Sequence, residues 1–158
     1  MSYQAVILTV SDSCAAGTRT DTSGPAIRAM LENASFAVQA MQTVPDEEGQ
    51  ISAAIVHACD ILQADLIVTT GGTGLSPRDV TPEATLAVLD REIRAIPVAM
   101  WVEGLKSTPR AMLSRAVAGI RGHTLVLNVP GSEKAARENL GAVVATLDHA
   151  LRMLAGGG

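Results

Sequence analysis

The sequence predicts an α/β domain built on a mostly parallel sheet with helices on both faces. Three observations carry this. Short β-branched apolar runs alternate along the chain with stretches of helical periodicity. Three of those runs each pass into a polar loop that leads into a helix, the connection that parallel strands require. And 158 residues, 47% of them hydrophobic, are enough for one core, so residues 1–158 are read as a single domain.

The elements follow in order. "QAVILTV" (4–10) is short, β-branched and continuous, a buried strand. The loop "SDSCAAGTRTDTSG" comes next, and Pro25 suits the first turn of a helix that carries Ile27, Met30 and Leu31 on one face. "FAVQAMQTV" (36–44) is a second strand. A helix over about 47–62 places Ile51, Ile55, Cys59 and Leu62 at helical spacing. "DLIVTT" (65–70) is the third strand. Thr81-Pro82-Glu83 opens a helix with a capping hydroxyl, a first-turn proline and an acid at the positive end. Pro97 starts another, with Met100 and Trp101. "TLVLNV" (124–129) is a strand, and "PGS" leads into a last helix striped by Leu140, Val143, Val144, Leu147, Leu151 and Leu154. The tail, 155–158, is expected to fray.

Composition narrows the function. Only Tyr3, Phe36 and Trp101 are aromatic, so aliphatic side chains and alanine fill the core. A net charge of −4 argues against a general nucleic-acid binder, which needs a basic face. No apolar run is long enough to span a membrane, and the first residues lack the basic start of a signal peptide. Cys14 and Cys59 form no metal spacing and no disulfide framework, which fits a reduced, cytoplasmic setting.

In a parallel sheet, ligands sit beyond the carboxyl ends of the strands. Three strand-to-helix loops there are suited to an anion: "SDSCAAGTRTDTSG", "GGTGLSPRDVTP" and "PGSEK". Neither dinucleotide nor Walker fingerprint is present. Gly71, Gly72 and Gly74 still allow backbone N–H groups to approach a phosphate, or else serve turn geometry alone. If Gly72 serves the phosphate, a side chain there blocks ligand and leaves melting nearly unchanged. Asp79, beside Arg78 and ahead of a helix, can bind Mg²⁺ with ligand phosphates, or act as a surface ion-pair partner. Asp46 in "VPDEEG" can share that metal, or cap the helix that follows. Ser11, Ser13 and Ser23 can donate to phosphate, and Asp12 and Asp21 can accept from a ribose or a pterin ring N–H, or all five make turns. Ser132 can cap the last helix or seat a phosphate, and Arg115 and Arg121 are candidate phosphate partners. His57, His123 and His149 match no metal spacing, and no histidine is local to Cys14, which is not read as a nucleophile.

Assembled in order, the segments "LTVSDSCAAG", "DTSGP", "VPDE", "TTGGTGLSPRDVTPEAT" and "AMLSRAVAGIRGHTLVLNVPGS" resemble those of the molybdopterin adenylyltransferases: MogA-type bacterial enzymes and the G domains of plant and animal molybdenum-cofactor proteins, gephyrin among them. "GGTG" alone is a weak signal; joined to "PRDVTPEAT" and "LSR…AGIRG…N.PGS" it is specific. The resemblance implies a three-layer α/β/α sandwich, a homotrimer, and transfer of AMP from Mg-ATP to the terminal phosphate of molybdopterin. A partner protein or domain then inserts molybdate. It assigns Asp46 and Asp79 to catalysis and the metal. To substrate binding it assigns Gly71, Gly72, Thr73, Gly74 and Arg78, with Ser11, Asp12, Ser13, Asp21, Ser23 and Gly24, and with Ser114, Arg115, Pro130, Gly131 and Ser132.

A sister, MoaB-like branch shares "GGTG" and "SRAVAG…PGS" but tends to lack "PRDVTPEAT", so the intact wording places this chain with the MogA type. One departure is "REIRAIPVAM", where relatives often have glycine after "RE". Two alternatives differ in chemistry: a non-catalytic trimeric molybdopterin-binding protein, and a nucleotide pyrophosphatase on the same fold. Pyrophosphate release that depends on molybdopterin, against hydrolysis of ADP-ribose without it, separates them.

Overall fold

The computed structural model describes residues 2–157. In order along the chain they form β1 (Gln4–Val10), α1 (Asp12–Ala15), α2 (Ser23–Asn33), β2 (Ala37–Val44), α3 (Glu48–Asp60), β3 (Leu66–Thr70) and α4 (Thr81–Leu86). There follow β4 (Arg91–Glu92), α5 (Ala95–Ser107), a 3-10 turn (Pro109–Leu113), β5 (Ala118–Arg121), β6 (Thr124–Val129) and α6 (Glu133–Leu154). The six strands lie in the order β2-β1-β3-β6-β5-β4. β1, β2, β3 and β6 are mutually parallel; β5 runs antiparallel to both its neighbours.

Strand alternation builds a core on each face, because successive side chains point to opposite sides of the sheet. Ile7, Leu66, Val68, Leu125 and Leu127 meet Ile27 and Leu31 of α2, Met100 of α5 and Leu140 of α6. Val6, Leu8, Ile67 and Val126 meet Ile51, Ile55 and Cys59 of α3 and Ala84 of α4. The expected mostly parallel sheet between two helical layers is what forms.

Several local expectations change. The β5–β6 hairpin is not among the elements expected from sequence. Its two-residue turn, Gly122-His123, places Gly122 at φ +57°, a left-handed conformation that glycine adopts without strain. β4 has two exposed residues, too few to show a period. α3 ends at Asp60, so Leu62 packs on the core from beyond the helix. α5 starts at Ala95, two residues before Pro97, which sits in its first turn. Thr81 does not cap α4: Val80 occupies the cap position, and the Thr81 hydroxyl is buried with no partner among the described residues. At the tail, Gly156 and Gly157 donate back to the carbonyls of Met153 and Arg152, and Gly158 lies outside the described residues.

The carboxyl ends of β3 and β6 are joined through polar side chains in an apolar setting. Asn128 is fully buried; its amide donates to Thr69 Oγ1 (2.8 Å) and Thr85 Oγ1 (3.1 Å), and its Oδ1 accepts from the Val117 N–H (3.1 Å). This fixes β5 and α4 to β6 at the height of the loops. Asn128→Ala strands the buried Val117 N–H, and should cost roughly 2–3 kcal/mol in urea denaturation; a loss near zero would show that the network carries no stability.

Candidate active site

Chain winding reverses at β1, with β2 on one side and β3 on the other. At such a point the loops leaving the strands splay and open a crevice. The loops after β1, β2 and β3 meet there around a cleft of about 210 Å³. A larger cleft, about 630 Å³, lies between the β3 loop, α5, the 3-10 turn and the start of α6. Gly72, Asp79 and Gly131 line both, so the two clefts join at the β3 loop.

The structure sorts the sequence candidates between them. Ser11, Asp21, Ser23, Asp46 and Gly71 line the smaller cleft. Thr73, Gly74, Ser114, Pro130 and Ser132 line the larger. Asp12, Ser13, Gly24, Arg78 and Arg115 line neither and support the walls. Arg121 is elsewhere, paired with Asp60.

The walls are tied by charge. The Asp12 N–H donates to Asp46 Oδ2 and the Asp46 N–H to Asp12 Oδ1, both at 2.9 Å. Asp46 therefore does not cap α3; its carboxylate crosses to the β1 loop. Arg78 reaches from the β3 loop to both oxygens of Asp12 at 3.0 Å, and to Glu47 at 3.0 Å. The guanidinium, then the Asp46 N–H, hold the Asp12 carboxyl below its usual range. Burial pushes the Asp46 carboxyl up, with the negative charges of Asp12 and Asp79 adding to it. Arg78 is spent on carboxylates of its own protein.

Arg115 has a similar role. Its backbone N–H donates to Thr73 O (2.8 Å), and its guanidinium to Gly74 O (2.7 Å), Asp79 O (2.7 Å) and the Glu83 carboxylate. One residue thus staples the β3 loop at both ends. Asp79 closes the loop from within, its Oδ2 accepting from the Ser76 N–H at 3.0 Å.

Serines of the site are also engaged. The Thr70 hydroxyl donates to Pro130 O at 2.8 Å, so in the Ser23–Thr70 pair (2.8 Å) the Ser23 hydroxyl is the donor. Asp21 accepts from Thr9 Oγ1 (2.7 Å) and the Gly24 N–H (3.0 Å). Ser11 caps α1 by accepting from Cys14 N–H (3.2 Å), and Ser132 caps α6 by accepting from Ala135 N–H (3.3 Å).

The sequence reading missed the cations left free. Among the described residues, the Arg19 side chain in the smaller cleft and the Arg110 side chain in the larger have no ion pair. Arg19 stands inside a loop already singled out, which was a usable signal. What the sequence hides is that Arg78, Arg115 and Arg121 are consumed by carboxylates.

No group of three or more His, Cys, Asp or Glu among the described residues is placed to hold a metal. The donor set still suits Mg²⁺, which uses one or two carboxylates and completes its shell with substrate phosphates and water. Asp46 and Asp79, both oxygen donors, line one cleft, and among the described residues Asp46 Oδ1 has no hydrogen-bond partner.

A family profile described as "Probable molybdopterin binding domain" matches residues 6–149. The chain belongs to this family. Among molybdopterin-family relatives, gephyrin of Dictyostelium discoideum is 42% identical over 94% of this chain, which spans 22% of that protein's length. A molybdopterin adenylyltransferase of Helicobacter pylori strain J99 is 37% identical, over 95% of this chain and 86% of the relative. The crystal structure of a molybdopterin biosynthesis enzyme, MoaB, from Thermus thermophilus superposes with a TM-score of 0.93 at 50% identity, covering 98% of this chain and 97% of that one. The resemblance read from "GGTG…PRDVTPEAT" is borne out. Names from both branches occur among the family members it matches.

Gly72 has a structural requirement of its own. It sits at φ +69°, and a Cβ there would lie 2.3 Å from Thr81 Oγ1 and 3.0 Å from Asp46 Oδ1. The expectation that a side chain spares the fold is therefore replaced. Gly72→Val should lower ligand-free stability by roughly 1–3 kcal/mol or more, read by thermal melting; an unchanged melting temperature would overturn this.

Proposed function

We propose that the protein acts in molybdenum-cofactor biosynthesis, transferring AMP from Mg-ATP to the terminal phosphate of molybdopterin and releasing pyrophosphate. The observation that carries this is the junction of two clefts at Gly72, Asp79 and Gly131. Adenylyl transfer needs two separate substrates whose phosphates meet at one point. The relatives named molybdopterin adenylyltransferase, 37–41% identical over most of this chain, support the same reading.

The reaction needs no covalent nucleophile. A terminal phosphate oxygen of molybdopterin attacks the α-phosphorus of ATP; that bond forms as the bond to the bridging oxygen of pyrophosphate breaks. The protein's part is position and charge. Asp46 and Asp79 would hold Mg²⁺, which supplies neutralisation of phosphate charge. Arg19 and Arg110 provide cations not already paired. The stapled β3 loop fixes where the two substrates meet.

We further propose that the protein is a cytoplasmic homotrimer that passes its product to a molybdate-inserting partner. Val98, Val102 and Leu105 are exposed along one face of α5, apolar area suited to burial between copies. No helix among the described residues is long and apolar enough to cross a membrane. Native mass spectrometry should give the trimer mass at micromolar protein; monomer alone would refute that arrangement.

Asp79→Asn tests the catalytic reading. The amide keeps the acceptor for Ser76 N–H and removes the charge. Turnover, followed as pyrophosphate release, should fall by about 10²-fold or more, with molybdopterin still bound. If Asp79 serves only the helix dipole, turnover is normal and stability drops by roughly 0.3–1 kcal/mol.

A further inference from the structure

Thr81 is fully buried, and among the described residues its hydroxyl has no hydrogen-bond partner. Buried polar groups are almost always paired, so a lone one asks for an explanation. It is not misplaced by a loose backbone. The Thr81 N–H donates to Gly72 O at 3.1 Å, which fixes the residue against the β3 loop.

Its surroundings point to the catalytic pair. Thr81 Oγ1 and Asp46 Oδ1 flank the same small space beside the Gly72 Cα. A Cβ at residue 72 would lie 2.3 Å from the first and 3.0 Å from the second. Asp46 is held by its other oxygen, Oδ2, on the Asp12 N–H, and by its own N–H on Asp12 Oδ1. Oδ1 is left without a donor among the described residues. An unused buried donor and an unused carboxylate oxygen thus face one gap, which stays open because residue 72 has no side chain. The terminal torsion of an aspartate is soft, so a small carboxylate rotation costs little.

We propose that Thr81 is a positioning residue: in the substrate-loaded enzyme its hydroxyl donates to Asp46 Oδ1 and sets the orientation of that carboxylate. The inference rests on the adenylyl-transfer reading above. The Thr81 hydroxyl is closed to solvent beside Gly72, so its role in this proposal runs through Asp46 and not through direct contact with a substrate. Groups that orient a metal-binding side chain are worth about 10- to 100-fold in activity when removed.

Two variants and two readouts decide it. Thr81→Val keeps the shape and deletes the hydroxyl; Thr81→Ser keeps the hydroxyl. Without nucleotide or metal, Thr81→Val should melt at or above the wild-type temperature, because the lost group had no partner. With Mg-ATP and molybdopterin, its kcat for pyrophosphate release should fall about 10- to 100-fold while KM for both substrates holds, and Thr81→Ser should work at close to the wild-type rate. A clear fall in melting for Thr81→Val overturns the proposal, since the hydroxyl would then already serve the fold. So does a normal kcat in Thr81→Val, or a serine variant as slow as the valine. Wild-type protein that releases no pyrophosphate would instead refute the functional reading, while the melting comparison, which needs no substrate, still decides whether the hydroxyl is idle in the free protein.

Discussion

Four carboxylates, those of Asp12, Asp46, Glu47 and Asp79, converge on three loops, and the Arg78 guanidinium contacts two of them directly. Everything about the site depends on that imbalance. Without Arg78, the loops after β1, β2 and β3 would carry like charges toward one another. With it, Asp12 and Glu47 are neutralised, and Asp46 and Asp79 remain as an unmatched pair. Burial first, and then the nearby negative charges of Asp12 and Asp79, raise the Asp46 carboxyl. On the function proposed above, phosphates would meet a wall lined with acids, and cations between protein and substrate would reconcile the two.

Much of this was legible in the sequence, for identifiable reasons. β1, β3 and β6 are continuous apolar runs because they are buried on both faces, and such runs stand out. The loops at their ends were found because glycine, serine and aspartate cluster where the backbone turns beyond the sheet. β4 and β5 were not found, because an edge pair of two and four residues shows no period. The roles of individual polar residues were the least legible. Asp46 and Thr81 stand where helix caps belong, yet neither caps a helix: one side chain crosses to the β1 loop, the other stays unpaired. Arg78 and Arg115 look like phosphate ligands in one dimension. Only the fold reveals that carboxylates and carbonyls from distant segments reach them first.

The hydroxyl chemistry at the top of the sheet has its own logic. Thr69, Thr70 and Asn128 occupy strand positions that would otherwise be apolar. They bond Thr85, Ser23 and the Pro130 carbonyl, joining α4, α2 and the loop after β6 to the sheet edge beneath the clefts. A purely aliphatic layer there would bury as well. It would not fix the direction from which each loop leaves, and the meeting point of the clefts depends on those directions.

Arg115 makes the last point. A glycine-rich segment is ordinarily the most disordered part of a binding site, and freezing it when ligand arrives consumes affinity. Here a single side chain grips that segment at Gly74 and Asp79 and is itself held by Glu83. These contacts tie the loop down in the ligand-free protein, which lowers what remains to be ordered when a ligand arrives. A loop held from outside in this way presents its backbone to both clefts with a shape set by the fold.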